Sequence, residues 1–314
     1  IPRKKYLVVD VHLKCFDIIV GMVWWFRMYR ALLMKNDSTY FYDGLNVTDY
    51  IRQEITWSIS RVARLMVFSG GLERVVKQLK IDELIYIVFE HPLGRLISHI
   101  VGICRPDILR TGFNHGDYSW RFINYFLAQG EASVSPPHLY HCPIPDKVLA
   151  EDGLCAEIYR YNGYECVEKM ERVYRIDYLE DIKPKKDDKF ILIAAGLHDG
   201  KALINMLLTE IIGSANVVYL LKPHPRADNR YTKDYMNVPN LKVVTTPIEE
   251  LLSIVGEVYV TYSGVGTEAL RLGIPVRVTC IPGRILWSKL LDYKCLPEEV
   301  DAYVYPNQAL VEVR

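Results

Sequence analysis

The sequence predicts an α/β protein of two domains, each built on a parallel sheet. Three observations lead there. Short β-rich apolar runs alternate with helical stretches over residues 189–280, the pattern of βαβ units. A charged, Pro-containing segment at 180–188 (EDIKPKKDD) precedes them and reads as an interdomain linker. The chain has 314 residues, half of them hydrophobic, enough for two cores at roughly 100–200 residues per domain. The expected domains are residues 1–182 and 188–314.

Taken in order, residues 6–11 (YLVVDV), 84–89 (LIYIVF) and 108–113 (ILRTGF) read as strands of the first domain, with helices around 14–34, 48–80 and 92–103. The first of these helices holds the longest apolar run, 18–26 (IIVGMVWWF), about half the ~20 residues that a spanning helix needs. Asp17 and Arg27 bracket it. Two readings stay open for it: a buried helix, or one lying in a membrane interface. In the second domain, 189–195 (KFILIAA) is a buried strand, followed by the turn 196–200 (GLHDG) and a helix over 201–212. Strands are expected at 216–221, 241–245, 257–261 and 275–279, with helices at 248–255 and 266–272. A parallel sheet of this kind binds ligands beyond the carboxyl ends of its strands, so the polar residues after each run matter most.

Composition excludes several functions. With 38 basic and 38 acidic side chains the formal charge is zero, which excludes a protein working by global attraction to nucleic acid. Neutrality is a cancellation: Lys and Arg lead Asp and Glu by 16 to 11 over residues 1–110 and trail by 9 to 13 over 111–187. The basic stretch, with Arg3, Lys4, Lys5, Arg27 and Arg30, suits an anionic glycan or the inner face of a membrane. Seven scattered cysteines (Cys15, Cys104, Cys142, Cys155, Cys166, Cys280, Cys295) without a C-x-x-C pair fit a reducing compartment, not a disulfide framework or zinc site. The expected location is the cytoplasm, with peripheral contact at the inner membrane face. His91, His99, His138 and His141 match no zinc template, and neither H-E-x-x-H nor D-x-D occurs, so no metal is expected.

Two motifs after strands carry the chemistry. In Lys222-Pro-His-Pro-Arg226, three potential cations alternate with prolines that stiffen the backbone at a strand end. Such a turn suits a phosphate or pyrophosphate, with Lys222, His224 and Arg226 as its ligands and Pro225 as its brace. In Thr261-Tyr-Ser-Gly-Val-Gly-Thr-Glu268, small residues open a helix. Ser263, Gly264 and Gly266 let a hydroxyl and backbone N–H groups approach an anion there, with Thr267 in the same turn. Glu268, one turn in, is either an acceptor for ribose hydroxyls or a capping acid. The turn at Gly196 is a third loop of the same kind. Neither the phosphate-loop nor the dinucleotide fingerprint is present.

A K-x-H-P turn followed some 40 residues later by a Ser/Gly-rich strand-to-helix turn resembles the donor half of GT-B glycosyltransferases. The likeness is to bacterial surface-polysaccharide enzymes that use CMP-activated sugars, the sialyltransferases and Kdo (3-deoxy-manno-octulosonate) transferases. The resemblance implies two Rossmann-like domains facing each other across a cleft, with a nucleotide-sugar substrate and no cofactor. It places the donor phosphate on Lys222, His224, Pro225, Ser263 and Gly264, and the base near residues 245–249 (TTPIE). In the first half, Gly112-Phe-Asn-His-Gly-Asp-Tyr-Ser-Trp120 and Cys142-Pro-Ile-Pro-Asp146 look like the acceptor-side domain of the same proteins, where a glycan or glycolipid would bind. Sugar transfer needs a base or a carboxylate nucleophile. Asp117 is the candidate carboxylate, with His115 beside it and Glu90 as the alternate; Asp117 reads equally as a turn residue. Tyr118, Trp120, Tyr125 and Phe126 could stack on sugar faces or simply fill a core. A UDP-sugar 2-epimerase-like isomerase, or a non-catalytic nucleotide-sugar-binding subunit, are the alternatives. A chain opening on Ile1 leaves room for a larger multidomain synthase.

Overall fold

A computed structural model describes residues 8–34, 39–42, 44–78, 80–88, 92–114, 116, 118–120, 127, 131–133, 142–185, 187–282 and 288–292. The fold is α/β with two separate parallel sheets. The chain divides into two compact units that are discontinuous in sequence. One comprises residues 1–115, 127–149 and 162–168; the other comprises 116–126, 150–161 and 169–314.

In the first unit, residues 9–12, expected as strand, form a short 3₁₀ turn, closed by the Leu13 N–H on the Asp10 carbonyl at 3.2 Å. The apolar alternation of YLVVDV there finds no described strand to pair with. Two long helices follow, α1 (Cys15–Met34) and α2 (Thr48–Gln78), separated by the two-residue antiparallel strands β1 (Phe41–Tyr42) and β2 (Leu45–Asn46). Then come β3 (Glu83–Ile87), α3 (Pro92–Cys104) and β4 (Leu109–Phe113), a βαβ unit with β3 and β4 parallel in register from Glu83 with Leu109 to Ile87 with Phe113. β5 (Ala132–Ser133) and β6 (Cys142–Pro143) pair separately. β7 (Lys147–Ala150) continues the main sheet alongside β4, and β8 (Val167–Lys169) closes the order β3-β4-β7-β8. Its core joins α2 to α3 through Leu72, Val76, Val101 and Ile108.

The second unit is the more regular. α4 (Gly153–Tyr161) belongs to it, as does the 3₁₀ segment Tyr174–Asp181. The alternating pattern then resolves into β9 (Asp187–Ala194), α5 (Gly200–Gly213), β10 (Val218–Lys222), β11 (Leu241–Val243), α6 (Ile248–Leu252), β12 (Val255–Val260), α7 (Val265–Arg271) and β13 (Val276–Val278). All pairings are parallel, in the order β11-β10-β9-β12-β13. β9 is central and unalternating in hydrophobicity because both its faces are covered. Ile191, Ile193 and Ala195 pack against Leu203, Ile204, Leu207 and Ile211 of α5. Leu192 and Ala194 pack the other way, into a core with Leu251, Leu252, Val258, Val260, Ala269 and Val276.

Residues 180–188 are less of a linker than their charge suggests. Ile182 packs against the sheet core. The Lys185 N–H donates to the Ser253 carbonyl at 2.8 Å, the Asp187 N–H donates to Ile254 at 3.1 Å, and β9 starts at Asp187. Backbone pairing at the amino end of a strand needs no apolar side chains, so the composition of this stretch concealed it.

Candidate functional site

The three loops after β9, β10 and β12 meet at the carboxyl edge of the second sheet. β10 and β12 are the two neighbours of β9, and Lys222 and Val260 are both level with Ala194. In chain order the strands run 3-2-1-4-5, so the topological switch point falls between β9 and β12. The 196–200 turn and the Thr261–Gly264 stretch stand on the two sides of that point, and the His-Pro turn stands next to β9 on the other edge.

Lys222 does not stand free above the sheet. Its Nζ donates to the carbonyls of Thr245 (3.2 Å) and Thr246 (2.5 Å), tying the end of β10 to the turn after β11. His224 accepts the Arg226 backbone N–H on Nδ1 at 3.2 Å. A neutral ring in that arrangement carries its proton on Nε2, which is then a donor. Burial, and then the electrostatic effect of neighbouring Arg226 and His198, push the His224 pKa below the ordinary histidine value, with Asp199 pulling the other way. The expected trio of cations is therefore two cations flanking a neutral N–H donor. Pro225 and Arg226 are exposed.

Gly196 is dictated by crowding. A Cβ there would lie 2.7 Å from Asp199 Oδ1 and 2.7 Å from Cζ of Tyr262. The Tyr262 hydroxyl in turn accepts the His198 N–H at 3.2 Å, lacing the β9 and β12 loops together. Asp199 sits at the N-cap position of α5 yet makes no cap bond. Its Oδ2 accepts the Thr261 hydroxyl, and its Oδ1 is buried without a hydrogen-bond partner, at 3% exposure for the residue. A buried unsatisfied acceptor costs about 1–3 kcal/mol, more for a charged group. Such an atom at a switch point is a ready acceptor for a ligand hydroxyl or a water.

On the β12 side, Ser263 and Gly264 open α7 and are half-buried. The Ser263 carbonyl accepts the Gly266 N–H at 3.0 Å, and the Gly264 carbonyl accepts the Thr267 hydroxyl at 3.0 Å and the Glu268 N–H at 3.1 Å. Thr267 thus closes its own turn. Gly266 answers to packing instead of to an anion, since a Cβ would lie 2.7 Å from Cδ1 of Leu290. α7 is only seven residues long and aligns few peptide dipoles. Glu268 is buried, accepting from Arg175 Nη1 at 3.0 Å and from the Tyr178 hydroxyl at 2.7 Å. Arg175 also reaches Glu151 at 2.7 Å. Both Glu268 carboxylate oxygens thus accept from residues outside α7. Its carboxylate is committed to the fold.

In the first half, Glu90, His115 and Asp117 lie outside the described residues, as do Tyr125, Phe126, His91, His138 and His141. The neighbouring residues are informative. The Asn114 N–H donates to the Leu149 carbonyl at 3.2 Å, so the chain leaves the carboxyl end of β4 there. Tyr118 is buried, and its hydroxyl accepts from that of Tyr159, which places it in a core and not on a sugar-stacking wall. Trp120 meets Tyr161 edge-on with centroids 5.3 Å apart. Asp146 is held by Arg110 through Nε at 2.8 Å and Nη2 at 2.5 Å. Among the described residues no group of three or more His, Cys, Asp or Glu is placed to hold a metal.

The sequence reading missed His198, Asp199, Thr261 and Tyr262. Asp199 had a signal: an acid directly before a helix start is ordinarily a cap, and only the tertiary fold shows it turned away toward Thr261.

No family model and no curated protein matches the chain. Among solved structures it is similar to UDP-N-acetylglucosamine 2-epimerase from Rickettsia bellii (13% identity, TM-score 0.44, covering 68% of this chain and 60% of that one). It is also similar to the β-Kdo 2,7 transferase KpsC of Thermosulfurimonas dismutans (22%, 0.25, 33% and 38%). A third is the wall teichoic acid polymerase TagF (15%, 0.36, 69% and 55%). The chain thus spans about 60% of the length of the Rickettsia protein. At these TM-scores the likenesses carry no argument of their own; the fold class rests on the strand order and pairing described above.

Proposed function

We propose that the chain is a GT-B glycosyltransferase whose second sheet holds the nucleotide of an activated sugar. The observation that carries this reading is that the loops holding Gly196, Lys222–Arg226 and Ser263–Gly264 leave three adjacent strands at one carboxyl edge, beside the buried, half-satisfied carboxylate of Asp199. His224 Nε2 and Arg226 supply phosphate contacts, and Asp199 Oδ1 accepts a hydroxyl. The donor is a CMP-activated acidic sugar of the Kdo type, and the acceptor is a bacterial surface glycan or glycolipid held by the N-terminal domain. Asp117, supported by His115 or replaced by Glu90, supplies the base or nucleophile. The neutralisation of phosphate by Arg226 and polar donors makes a metal unnecessary to this reading.

The experiment is a thermal-shift panel of CMP, CDP, UDP and GDP. At about one hundred times its Kd a nucleotide adds roughly 2.7 kcal/mol of apparent stability, and CMP is expected to lead. His224→Ala and Ser263→Ala should shrink the shift. Asp199→Asn should shrink it too, because an amide presents one acceptor oxygen where the carboxylate presents two. A panel in which no nucleotide shifts the melt, or in which His224→Ala changes nothing, overturns the site. Asp117→Asn is expected to abolish transfer and leave nucleotide binding intact. A second reading is an isomerase of the UDP-sugar 2-epimerase kind, for which Asp199 would be a candidate acid; epimer formed from UDP-GlcNAc alone, without acceptor, decides for it.

A further inference from the structure

α1 is an apolar helix with one face packed and the other bare. Asp17 and Gly21 are buried, and Val20, Trp24, Met28, Ala31 and Leu32 are half-buried on the same side. At 100° per residue these positions span about 120°, the width of an ordinary core stripe. They face α2, where Gly21 lies so close to Val67 and the Ala63 carbonyl that the helices touch nearly backbone to backbone. Asp17 is neutralised there: it accepts the Lys14 N–H at 2.7 Å and pairs with Arg74.

The remaining arc of about 200° is exposed and should be polar in a helix that meets only water. It holds Phe16, Ile18, Ile19, Met22, Val23, Trp25, Phe26, Tyr29, Leu33 and Met34, with Phe16 at 68% and Phe26 at 60% exposure. The charges on this arc are Arg27 and Arg30, both exposed, and it carries no acid. Trp25 stacks on Tyr29 at 5.5 Å and meets Phe26 edge-on at 5.2 Å, so an aromatic cluster borders the arginines. α2 adds exposed Tyr50 and Trp57. No helix among the described residues is long and apolar enough to cross a membrane.

From this arc we infer that α1 docks the protein onto an anionic bilayer, lying in the plane of the interface. Three features select lipid as the occupant. The apolar arc is about 200° wide, against the roughly 100° stripe by which a surface helix ordinarily packs on protein. Its only charges are cationic and complement acidic headgroups. Trp and Tyr are the side chains that settle where hydrocarbon meets headgroup. The twenty-residue helix, about 30 Å long at 1.5 Å per residue, gives a long line of contact. This inference is independent of the nucleotide site.

The test is flotation of the purified chain with vesicles of phosphatidylcholine alone and of phosphatidylcholine carrying about one-third phosphatidylglycerol. The chain should float with the anionic vesicles and only weakly with the neutral ones, and salt should reduce the difference. Arg27→Gln with Arg30→Gln should lower the partition coefficient roughly 20- to 30-fold. Trp25→Ser with Phe26→Ser should lower it more than about tenfold while the cooperative melt is kept, because both side chains are exposed in the free protein. Failure to float with either vesicle overturns the inference. So does a dimer in light scattering that Phe26→Ser dissociates without any vesicle binding, which would assign the face to a second copy. Flotation unaffected by both double variants overturns it as well.

Discussion

His224 shows how a single side chain changes meaning between sequence and structure. Among prolines and cations it reads as a third positive charge, whereas burial and its charged neighbours keep the imidazole neutral. The sign of its pH effect follows. With its folded pKa below the unfolded value near 6.5, the unfolded chain takes up the proton first, so the free protein loses stability as pH falls through that value. A bound phosphate reverses the preference by favouring the imidazolium. Nucleotide affinity should therefore rise as pH drops toward 6 while the stability of the free protein declines. Melts with and without CMP across this range should show the two opposite slopes, and His224→Gln should flatten both. Parallel slopes would place the phosphate away from His224. Glu268 teaches the converse lesson, because a carboxylate that looks available in sequence is held by Arg175 and Tyr178.

At the scale of elements, the close approach of α1 and α2 rests on glycine. Gly21 faces Val67, and in α2 a Cβ on Gly70 would lie 2.6 Å from Asp17 Cγ. Gly21→Leu should cost about 1–3 kcal/mol by overpacking, read as a lower denaturation midpoint with an unchanged slope. Equal stability in the variant would show that the two helices can part without loss. In the second sheet, β9 is specified from both sides, with Leu192 and Ile193 each fully buried in a different core. That double burial is why a run without alternation reads correctly as a central parallel strand.

At the scale of the whole molecule, each of the two units carries a buried thiol that reports on it. Cys142 lies in the first unit, its pKa raised to about 11 by burial, and Cys155 lies in the second, its thiol also pushed up by burial. Cys15 and Cys166 are exposed. In the native protein Cys15 and Cys166 should react with a thiol reagent while Cys142 and Cys155 stay silent. Under mild heating a nucleotide at about one hundred times its Kd should slow Cys155 labelling roughly 100-fold and leave Cys142 unchanged. Equal protection of both would show that the units unfold together.

The α/β class, the five strands of the second sheet, their intervening helices and the two motif loops were legible in the sequence. Buried parallel strands and strand-to-helix turns are written in local composition, and local composition needs no knowledge of distant residues. What tertiary structure alone decided was partnership. It set β9 between β10 and β12, turned Asp199 from a helix cap into a buried acceptor, and committed Lys222 and Glu268 to neighbours far away in sequence. It also drew residues 116–126 and 150–161 into the second unit, and left one face of α1 bare where its apolar run predicts burial equally well. A side chain's type is local, whereas its exposure, its hydrogen-bond partner and its charge state depend on which remote segment folds against it.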